Sequence, residues 1–295
     1  MAETAEPLDI GLVGAGKAGL VLASALSANG HRIARVWDPS EAGRARARET
    51  LGAVHVLDTA EGLGSAVEVL LLAVPDDALA DAVASLAEDP RRGEGIAVLH
   101  VSGRYGAGVL EPLRAAGAIT AAMHPAMTFT GDIVTERRRL EGTRFAITGP
   151  SPGLRVATRL VRDVGGVPLV VAEHDRALYH AALAHGSNHL VTLVVQATRV
   201  LQAAGVADAE AVLGPPLRAA LDNAMQRGVG GATGPVVRGD VGTVAEHLSA
   251  LGHAAPEVVP AYREMSLAAA SLASDAGRLG REDHERLRAA LANRT

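Results

Sequence analysis

Short apolar runs alternate with amphipathic stretches between residues 8 and 171. This alternation is typical of successive β-α-β units, which build a parallel sheet flanked by helices. The predicted strands are residues 10–13, 32–37, 67–73, 96–101, 118–122, 144–148 and 168–171, and helices are predicted over residues 16–29 and 77–87. We therefore expect an α/β fold with a doubly wound, mostly parallel sheet.

The pattern changes after residue 171, where apolar residues begin to recur at helical spacing. Residues 174–204 hold no strong helix breaker except Gly186, and Gly205 follows in the usual C-cap position. This stretch predicts one long helix.

Further helices are predicted over residues 208–291, separated by Pro215-Pro216, by a glycine-rich segment at 228–239 and by Pro256. We expect two domains, an α/β domain over residues 1–172 and an all-α domain over residues 173–295 that supplies the substrate pocket and a dimer surface.

Composition excludes several classes of function. Hydrophobic residues make up 48% and charged residues 21% of the 295 residues, as in globular proteins. The net charge of −5 and the 2% aromatic content argue against nucleic-acid binding. The chain has no cysteine, which excludes disulfides, thiolate metal sites and cysteine nucleophiles. Residues 1–7 lack the features of a signal peptide, and no apolar run is long enough to span a membrane, so we expect a cytoplasmic protein.

A glycine pattern of the form G-x-G-x-x-G follows the first predicted strand and opens the first predicted helix. Gly14 would permit the tight turn, Gly16 would let the backbone approach a pyrophosphate, and Gly19 would let the helix pack against the strand. Free N–H groups at the helix N-terminus favour an anion there. The pattern predicts a dinucleotide site that includes Ala15, Lys17 and Ala18; the alternative is a glycine-rich turn with an empty site.

Asp38 follows the second predicted strand. It comes roughly 20 residues after the glycines, which is the separation at which an acidic residue contacts the ribose. Asp38 would accept hydrogen bonds from the ribose hydroxyls of NAD and repel the 2′-phosphate of NADP. Ser40 and Arg44 could instead build a phosphate pocket, although Arg44 could also be a solvated helix charge. The cofactor is NADP(H) or NAD(H), and the sequence leaves both open.

Other polar groups follow later strands, whose carboxyl ends face the ligand in open α/β sheets. Val74 and Pro75 would form a wall for the nicotinamide or ribose, and Ser102 lies in a turn that must pass close to the cofactor. His100 and His124 could orient a substrate, or each could be a hydrogen-bonded structural residue.

The long predicted helix carries a polar group in an apolar surrounding. Tyr179, His180, Ser187 and Asn188 are its members. At about 100° per residue, Ser187 returns beneath His180, and Asn188 lies roughly 80° away, so these three could face one pocket.

His185 and His189 have the i, i+4 spacing that metal sites use. No HExxH pattern or nearby carboxylate accompanies them, so we predict no metal site and expect these side chains at a helix interface or a solvated edge.

This order of domains resembles the superfamily that contains 6-phosphogluconate dehydrogenase, hydroxyisobutyrate dehydrogenase, ketopantoate reductase and pyrroline-5-carboxylate reductase. The resemblance covers nearly the whole chain. It is strongest to a branch that joins a Rossmann-like domain to a C-terminal domain of unknown function, number 2520. The residues that carry it are Tyr179-His180-Ala181, Ser187-Asn188, the run 233–240, Thr243 and His247-Leu248.

The resemblance implies a dinucleotide-dependent oxidoreductase. In the hydroxyacid dehydrogenases and ketopantoate reductases, a lysine early in the long helix serves the reacting oxygen, and His180 stands at that position here. In the ketopantoate reductases asparagines follow at four and eight residues, where this chain has Ala184 and Asn188. The only lysine, Lys17, belongs to the glycine loop.

Histidine can donate a proton at neutral pH, so His180 is our candidate for the acid that protonates a carbonyl oxygen. Ser187 and Asn188 would hold that oxygen or a neighbouring hydroxyl. The alternative is that His180 is a buried residue satisfied by a helix neighbour.

Arg238 could clamp a substrate carboxylate, with Asp240 beside it and His124 on the opposite domain. The alternative is structural, because Asp240 or Thr243 could cap the next helix and Arg238 could pair with Asp240.

These observations favour an NAD(P)H-dependent reductase of a small carboxylate-bearing carbonyl compound, a 2-oxo acid first, as ketopantoate reductase would imply. An imine reductase of the pyrroline-5-carboxylate type is the second hypothesis, and a non-catalytic dinucleotide sensor is the third. We expect a homodimer, because the apolar faces of the last helices exceed what one helical domain can cover.

Overall fold

The computed structural model describes residues 6–88 and 95–292. The chain divides into two compact units, Met1–Ala184 and His185–Thr295, and each is described by itself. Residues 1–5 lie outside the described residues. The prediction that the chain begins without a signal peptide rests partly on them. None of the helices in the described ranges is both long and apolar enough to span a bilayer.

The first unit contains an eight-stranded sheet in the order β3-β2-β1-β4-β5-β6-β7-β8. Its strands are β1 Asp9–Val13, β2 Arg32–Trp37, β3 His55–Leu57, β4 Val69–Leu72, β5 Ala97–His100, β6 Ile119–Pro125, β7 Arg144–Thr148 and β8 Val167–Val170. All neighbours pair in parallel except β6 and β7. The predicted doubly wound, mostly parallel α/β fold is confirmed.

Helices cover both faces of this sheet. They are α1 Lys17–Ala28, α2 Glu41–Leu51, α3 Asp76–Ala87, α4 Glu111–Ala115, α5 Ile133–Arg139, α6 Ser151–Asp163 and α7 Arg176–Leu183. On one face Leu12 packs in a cluster with Leu26 and Leu160, and on the other Leu70 packs in a cluster with Leu79. Burying each such side chain stabilises the fold by about 1.5–3 kcal/mol. Apolar residues on both faces of a strand explain why the central strands appear as continuous apolar runs in the sequence.

The second unit is helical. Its helices are α8 His189–Ala203, α9 Ala209–Arg227, α10 Val241–Ala254, α11 Val259–Asp275 and α12 Arg281–Ala292. Its buried core comes mainly from the last three helices, through residues such as Val244, Ala270 and Leu287. In contrast, α8 has no buried residue and α9 buries only Ala209.

The predicted long helix is present, but it is not α-helical throughout. Helix α7 continues directly into a π-helical turn, Ala184–Asn188, and then into α8. Gly205 ends it with a φ of +85°, as predicted. A π turn holds more residues than an α turn, so the angles calculated at about 100° per residue do not apply to Ser187 and Asn188.

The prediction that Pro215-Pro216 separates two helices was wrong, because α9 runs through both prolines. A proline inside a helix leaves the carbonyl group four residues earlier without its usual N–H partner. Those carbonyls belong to Ala211 and Val212, which are exposed, so solvent can hydrate them. The breaks at the glycine-rich segment and at Pro256 are confirmed.

The domain boundary at residues 172 and 173 stays a prediction. The last strand of the sheet ends at Val170, whereas the two compact units divide after Ala184.

The turn between β1 and α1 requires glycine at two of its three glycine positions. Gly14 has a φ of +93°, and a Cβ there would lie 2.6 Å from the carbonyl oxygen of Ala73. A Cβ on Gly19 would overlap the carbonyl oxygen of Gly14 and lie 2.9 Å from the Cβ of Ala73. A Cβ on Gly16 would meet no atom within 4 Å.

We predict that Gly19→Ala lowers the free energy of unfolding by about 1–3 kcal/mol, because overpacking against backbone outweighs the roughly 1 kcal/mol gain in helix propensity. Gly16→Ala is the matched control and should lower it by less than about 1 kcal/mol. Urea unfolding followed by circular dichroism measures both. Equal losses in the two variants would contradict this account of the turn.

Candidate functional site

The glycine loop has the geometry of an anion site. The N–H of Gly14 donates to the carbonyl of Trp37 at 2.9 Å, which ties the loop to β2. Helix α1 begins at Lys17, its N-cap is Gly16, and no side chain caps it. Its first N–H groups therefore remain available to a ligand. Because Gly16 borders open space, a phosphate can approach the backbone there.

Asp38, directly after β2, holds this loop. Its carboxylate accepts hydrogen bonds from Ala15 N at 2.7 Å and from the N–H and hydroxyl of Ser40 at 2.9 and 2.7 Å. Burial opposes ionisation of Asp38, but these hydrogen bonds and the charge of Arg46 outweigh burial and lower its pKa. The predicted ribose-binding carboxylate is thus also a structural part of the loop.

Ser40 and Arg44, which follow Asp38 in the chain, also have structural contacts. The hydroxyl of Ser40 accepts a hydrogen bond from Gly43 N and caps α2. Arg44 donates to the carbonyl of Asp38 at 2.9 Å and pairs with Glu41, and its side chain is only 16% exposed. It is therefore not a freely solvated charge.

The end of β4 lies beside the glycine loop. A Cβ on Gly14 would lie 3.0 Å from Val74 N, so Val74 directly borders the loop. Pro75 is exposed and precedes the first residue of α3. Both residues are at the predicted position on the sheet edge.

The turn after β5 is fixed by two predicted residues. His100 is fully buried; its Nε2 donates to the carbonyl of Gly106 at 2.8 Å, and its Nδ1 accepts from Ser102 N at 3.2 Å. Burial lowers the pKa of His100 to about 4. The hydroxyl of Ser102 accepts hydrogen bonds from the N–H groups of Arg104 and Tyr105. His100 and Ser102 therefore hold the shape of this turn.

Three polar side chains meet beside that turn. Nδ1 of His124, near the end of β6, lies 3.1 Å from the hydroxyl of Tyr179 on α7. The ring of His124 meets those of Tyr179 and His180 edge to face, with centroids 5.7 and 6.1 Å apart. A Cβ on Gly103 would lie 2.8 Å from Nε2 of His124 and 2.7 Å from Cδ2 of His180. We call His124, Tyr179 and His180 the edge cluster.

Two members of the edge cluster, His124 and Tyr179, are held uncharged. Burial, followed by the charge of Arg176, lowers the pKa of His124 to about 3. Burial raises the pKa of Tyr179, and the same arginine opposes that shift. At neutral pH His124 is thus a neutral imidazole and Tyr179 a phenol, which suits both to hydrogen bonding with an uncharged carbonyl group.

Sequence reasoning found His124 and His180 but missed two members of their surroundings. The sequence shows Tyr179 only as a polar residue of the helix. Its contact with His124 exists because the fold brings α7 against β6. Nothing in the sequence indicates that Arg176 is buried, because an arginine in the first turn of a helix usually keeps its charge in solvent.

The remaining predicted residues belong to the second unit. The hydroxyl of Ser187 donates to Oδ1 of Asn188 at 3.1 Å within the π-helical turn. Asp240 caps α10 by accepting from the N–H and hydroxyl of Thr243 at 3.0 and 2.7 Å. Arg238 is exposed. Their roles toward a substrate stay predictions, and Asp240 rather than Thr243 is the helix cap.

His185 and His189 lie together on the surface, with their Nδ1 atoms 3.0 Å apart. Among residues 6–88 and 95–292, no group of three or more histidine, aspartate or glutamate side chains is arranged to hold a metal ion.

Two family models match the chain. Residues 3–125 match a Rossmann-like domain, and residues 143–269 match the domain of unknown function DUF2520. No curated protein matches the sequence.

Solved structures share the fold over nearly the whole chain. A candidate NADP oxidoreductase from Bacteroides fragilis has 18% identity and a TM-score of 0.73, over 90% of this chain and 98% of that one. A reductive aminase from Aspergillus terreus in complex with NADPH and ethyl levulinate has 18% identity and a TM-score of 0.67, over 96% and 99%. An imine reductase from Myxococcus stipitatus in complex with NADP+ has 15% identity and a TM-score of 0.64, over 97% and 100%.

At these identities the likeness to solved structures concerns the fold, whereas the two family models assign the domains. Each model covers less than half of the chain, so the matches concern its two regions: residues 3–125 are similar to Rossmann-like domains, and residues 143–269 are similar to DUF2520 domains.

Proposed function

We propose that this protein is an oxidoreductase that uses NADP(H) or NAD(H) to reduce a small carbonyl compound. The observation that supports it best is that the glycine loop and the edge cluster occupy the same edge of one sheet. The loop follows β1, Gly103 follows β5 and His124 is near the end of β6, and these strands are mutually parallel in the sheet. Ligands of open α/β sheets bind at this edge.

The residues of the loop fit a dinucleotide. Gly16 leaves room that a Cβ would fill, and the uncapped N-terminus of α1 suits a pyrophosphate. The Aspergillus terreus and Myxococcus stipitatus structures contain NADPH and NADP+, which supports a nicotinamide dinucleotide here as well. When bound, that cofactor supplies the hydride.

We propose that His180 supplies the proton. Its Cδ2 packs against Gly103, so the adjacent Nε2 is beside the turn that borders the site. Hydride addition to a carbonyl carbon moves the C=O electron pair onto oxygen, and the proton held at Nε2 of His180 completes the alcohol. Solvent then returns a proton to His180. Ser187 and Asn188 remain our candidates for holding the substrate, and Arg238 for binding its carboxylate.

A 2-oxo acid is the first substrate that we propose, and an imine is the second. The imine receives specific support from the reductive aminase and imine reductase among the structural neighbours. An imine nitrogen needs a proton as the carbonyl oxygen does, so the same edge cluster could serve either reaction.

We also propose that two copies of the chain associate through α8 and α9. Val191 and Met225 are 63% and 80% exposed, and Val195 and Leu221 are also exposed. A 15-residue helix as apolar as α8, with no buried residue, is expected to have a partner surface. We propose that a second copy of this chain covers this surface. The cytoplasmic location stays a prediction.

We predict that Gly16→Ala lowers the affinity for NADPH or NADH at least about 10-fold, because a methyl group would stand between the backbone and the pyrophosphate. Quenching of Trp37 fluorescence, or cofactor fluorescence, measures the dissociation constant. Gly252→Ala is the matched control, since its Cβ also meets no atom within 4 Å. Unchanged affinity in Gly16→Ala would exclude this loop as the phosphate site.

We predict that the chain oxidises NADPH or NADH with a member of a panel of 2-oxo acids and cyclic imines, and that His180→Ala lowers kcat by about 10²–10⁴-fold. His253→Ala, an exposed histidine of α10, is the control and should keep full activity. Tight cofactor binding without any turnover would favour the sensor hypothesis. Full activity of His180→Ala would assign the proton to another group.

We predict that the double variant Val195→Glu, Met225→Glu is a monomer, because charges on a buried apolar interface cannot be solvated. Size-exclusion chromatography with light scattering measures the mass. Val134→Glu, on α5 at a 65% exposed position, is the control and should remain a dimer. A monomeric unmodified protein at micromolar concentration would refute the dimer.

A further inference from the structure

Arg176 is a buried cation directly behind the edge cluster. Arg176 is the first residue of α7, is only 1% exposed, and is the bulkiest fully buried side chain in the described parts of the chain. Its Nε donates to the carbonyl of Tyr105 at 2.9 Å and its Nη1 to the carbonyl of Ala146 at 3.1 Å. Its Nη2 donates to the carbonyl of Ser102. The side chain thus connects α7 to the turn after β5 and to β7.

No carboxylate forms an ion pair with Arg176 in the described parts of the chain. The groups whose charges favour its ionised form are Tyr179 first, then Glu173 and Asp76. Burial of an ion costs several kcal/mol, and carbonyl dipoles offset only part of that cost. An apolar side chain of similar volume would avoid this cost, but it would leave the three carbonyl groups without their donor. The position of this buried cation beside the edge cluster is therefore the feature to explain.

The charge of Arg176 acts on the edge cluster. Its guanidinium carbon lies 5.6 Å from the ring centre of Tyr179, whose hydroxyl contacts Nδ1 of His124. The titratable groups that act on His124 are Arg176, His180 and His100, and all three oppose a positive charge on it. After burial, the cation is the largest of these influences.

We propose that Arg176 is a positioning residue that holds Tyr179 within hydrogen-bond reach of Nδ1 of His124, so that His124 presents an N–H to the substrate oxygen while His180 supplies the proton. This inference rests on the proposed reductase function. With Tyr179 donating to Nδ1, His124 bears its hydrogen on Nε2, the atom that packs beside Gly103. That N–H binds the substrate oxygen, and His180 protonates it.

Two imidazoles whose ring centres lie 6.1 Å apart thus have different tasks. Neighbouring groups with different charge states commonly divide binding and proton transfer between them. Without the cation His124 would be easier to protonate, and a protonated His124 could no longer accept the hydrogen bond from Tyr179. The arginine therefore helps to keep His124 as a hydrogen-bond donor to the substrate and leaves proton transfer to His180.

Histidine titration by NMR tests the inference without substrate or cofactor. We compare the unmodified chain with Arg176→Lys, which keeps the charge, and Arg176→Met, which removes it. Arg176→Met should raise the titration midpoint of His124 by about one pH unit or more, because a nearby positive charge disfavours protonation. Arg176→Lys should shift it by less than about half a unit. His247, which contacts Tyr262 at 2.8 Å in the second unit, is a matched histidine-tyrosine pair whose midpoint should not change between variants.

An unchanged His124 midpoint in Arg176→Met would overturn the inference. If that variant does not fold, the unmodified chain decides, because titration of His124 above about pH 6, near the ordinary histidine value, would also overturn it. Where turnover is found, Arg176→Met should introduce a new loss of kcat/KM toward acidic pH, and Arg176→Lys should not. A missing turnover with every substrate would count against the reductase proposal alone, since the titration does not depend on it.

Discussion

Parallel pairing of β1, β4, β5 and β6 forces the carboxyl ends of these strands onto one edge of the sheet. The glycine loop, the turn after β5 and His124 owe their proximity to that constraint. The glycine loop ends β1, the turn held by His100 ends β5, and His124 is near the end of β6. Residues more than one hundred positions apart in the chain are thereby brought to the same edge, where backbone N–H groups and imidazoles can act on one ligand.

Two buried charges of opposite sign support this edge in different ways. Asp38 accepts three hydrogen bonds from Ala15 and Ser40, and so fixes the backbone that would contact a phosphate. Arg176 donates to three carbonyl groups and fixes the backbone and helix around His124. Each charge is compensated mainly by backbone dipoles, which are rigid and therefore preserve the geometry of the edge before any ligand binds.

Much of the fold could be predicted from local patterns, because parallel strands with both faces buried appear as apolar runs and glycines with forced conformations appear as motifs. Strands Arg32–Trp37 and Arg144–Thr148 have the predicted bounds. The strand His55–Leu57 was missed because it has only three residues and none of them is fully buried. The π-helical turn at Ala184–Asn188 and the helical prolines of α9 were missed because both depend on backbone hydrogen bonding that composition does not encode.

The candidate site was predictable only in part, for a physical reason. Gly14, Gly16 and Gly19 act through their own backbone, so their spacing is enough to identify the loop. Tyr179 and Arg176 act through partners that are 55 and up to 74 residues away, and a single sequence holds no sign of such contacts. The sequence therefore predicts site residues that act through their own backbone, and it misses site residues whose role depends on packing against distant parts of the chain.

The central claim is that the amide groups at the start of α1 bind the pyrophosphate of a nicotinamide dinucleotide. Isothermal titration calorimetry of the folded, unmodified chain with NADPH and with NADH tests it most directly. The account predicts saturable heat with one nucleotide per chain for at least one of the two. No heat with either nucleotide at millimolar concentration would contradict it.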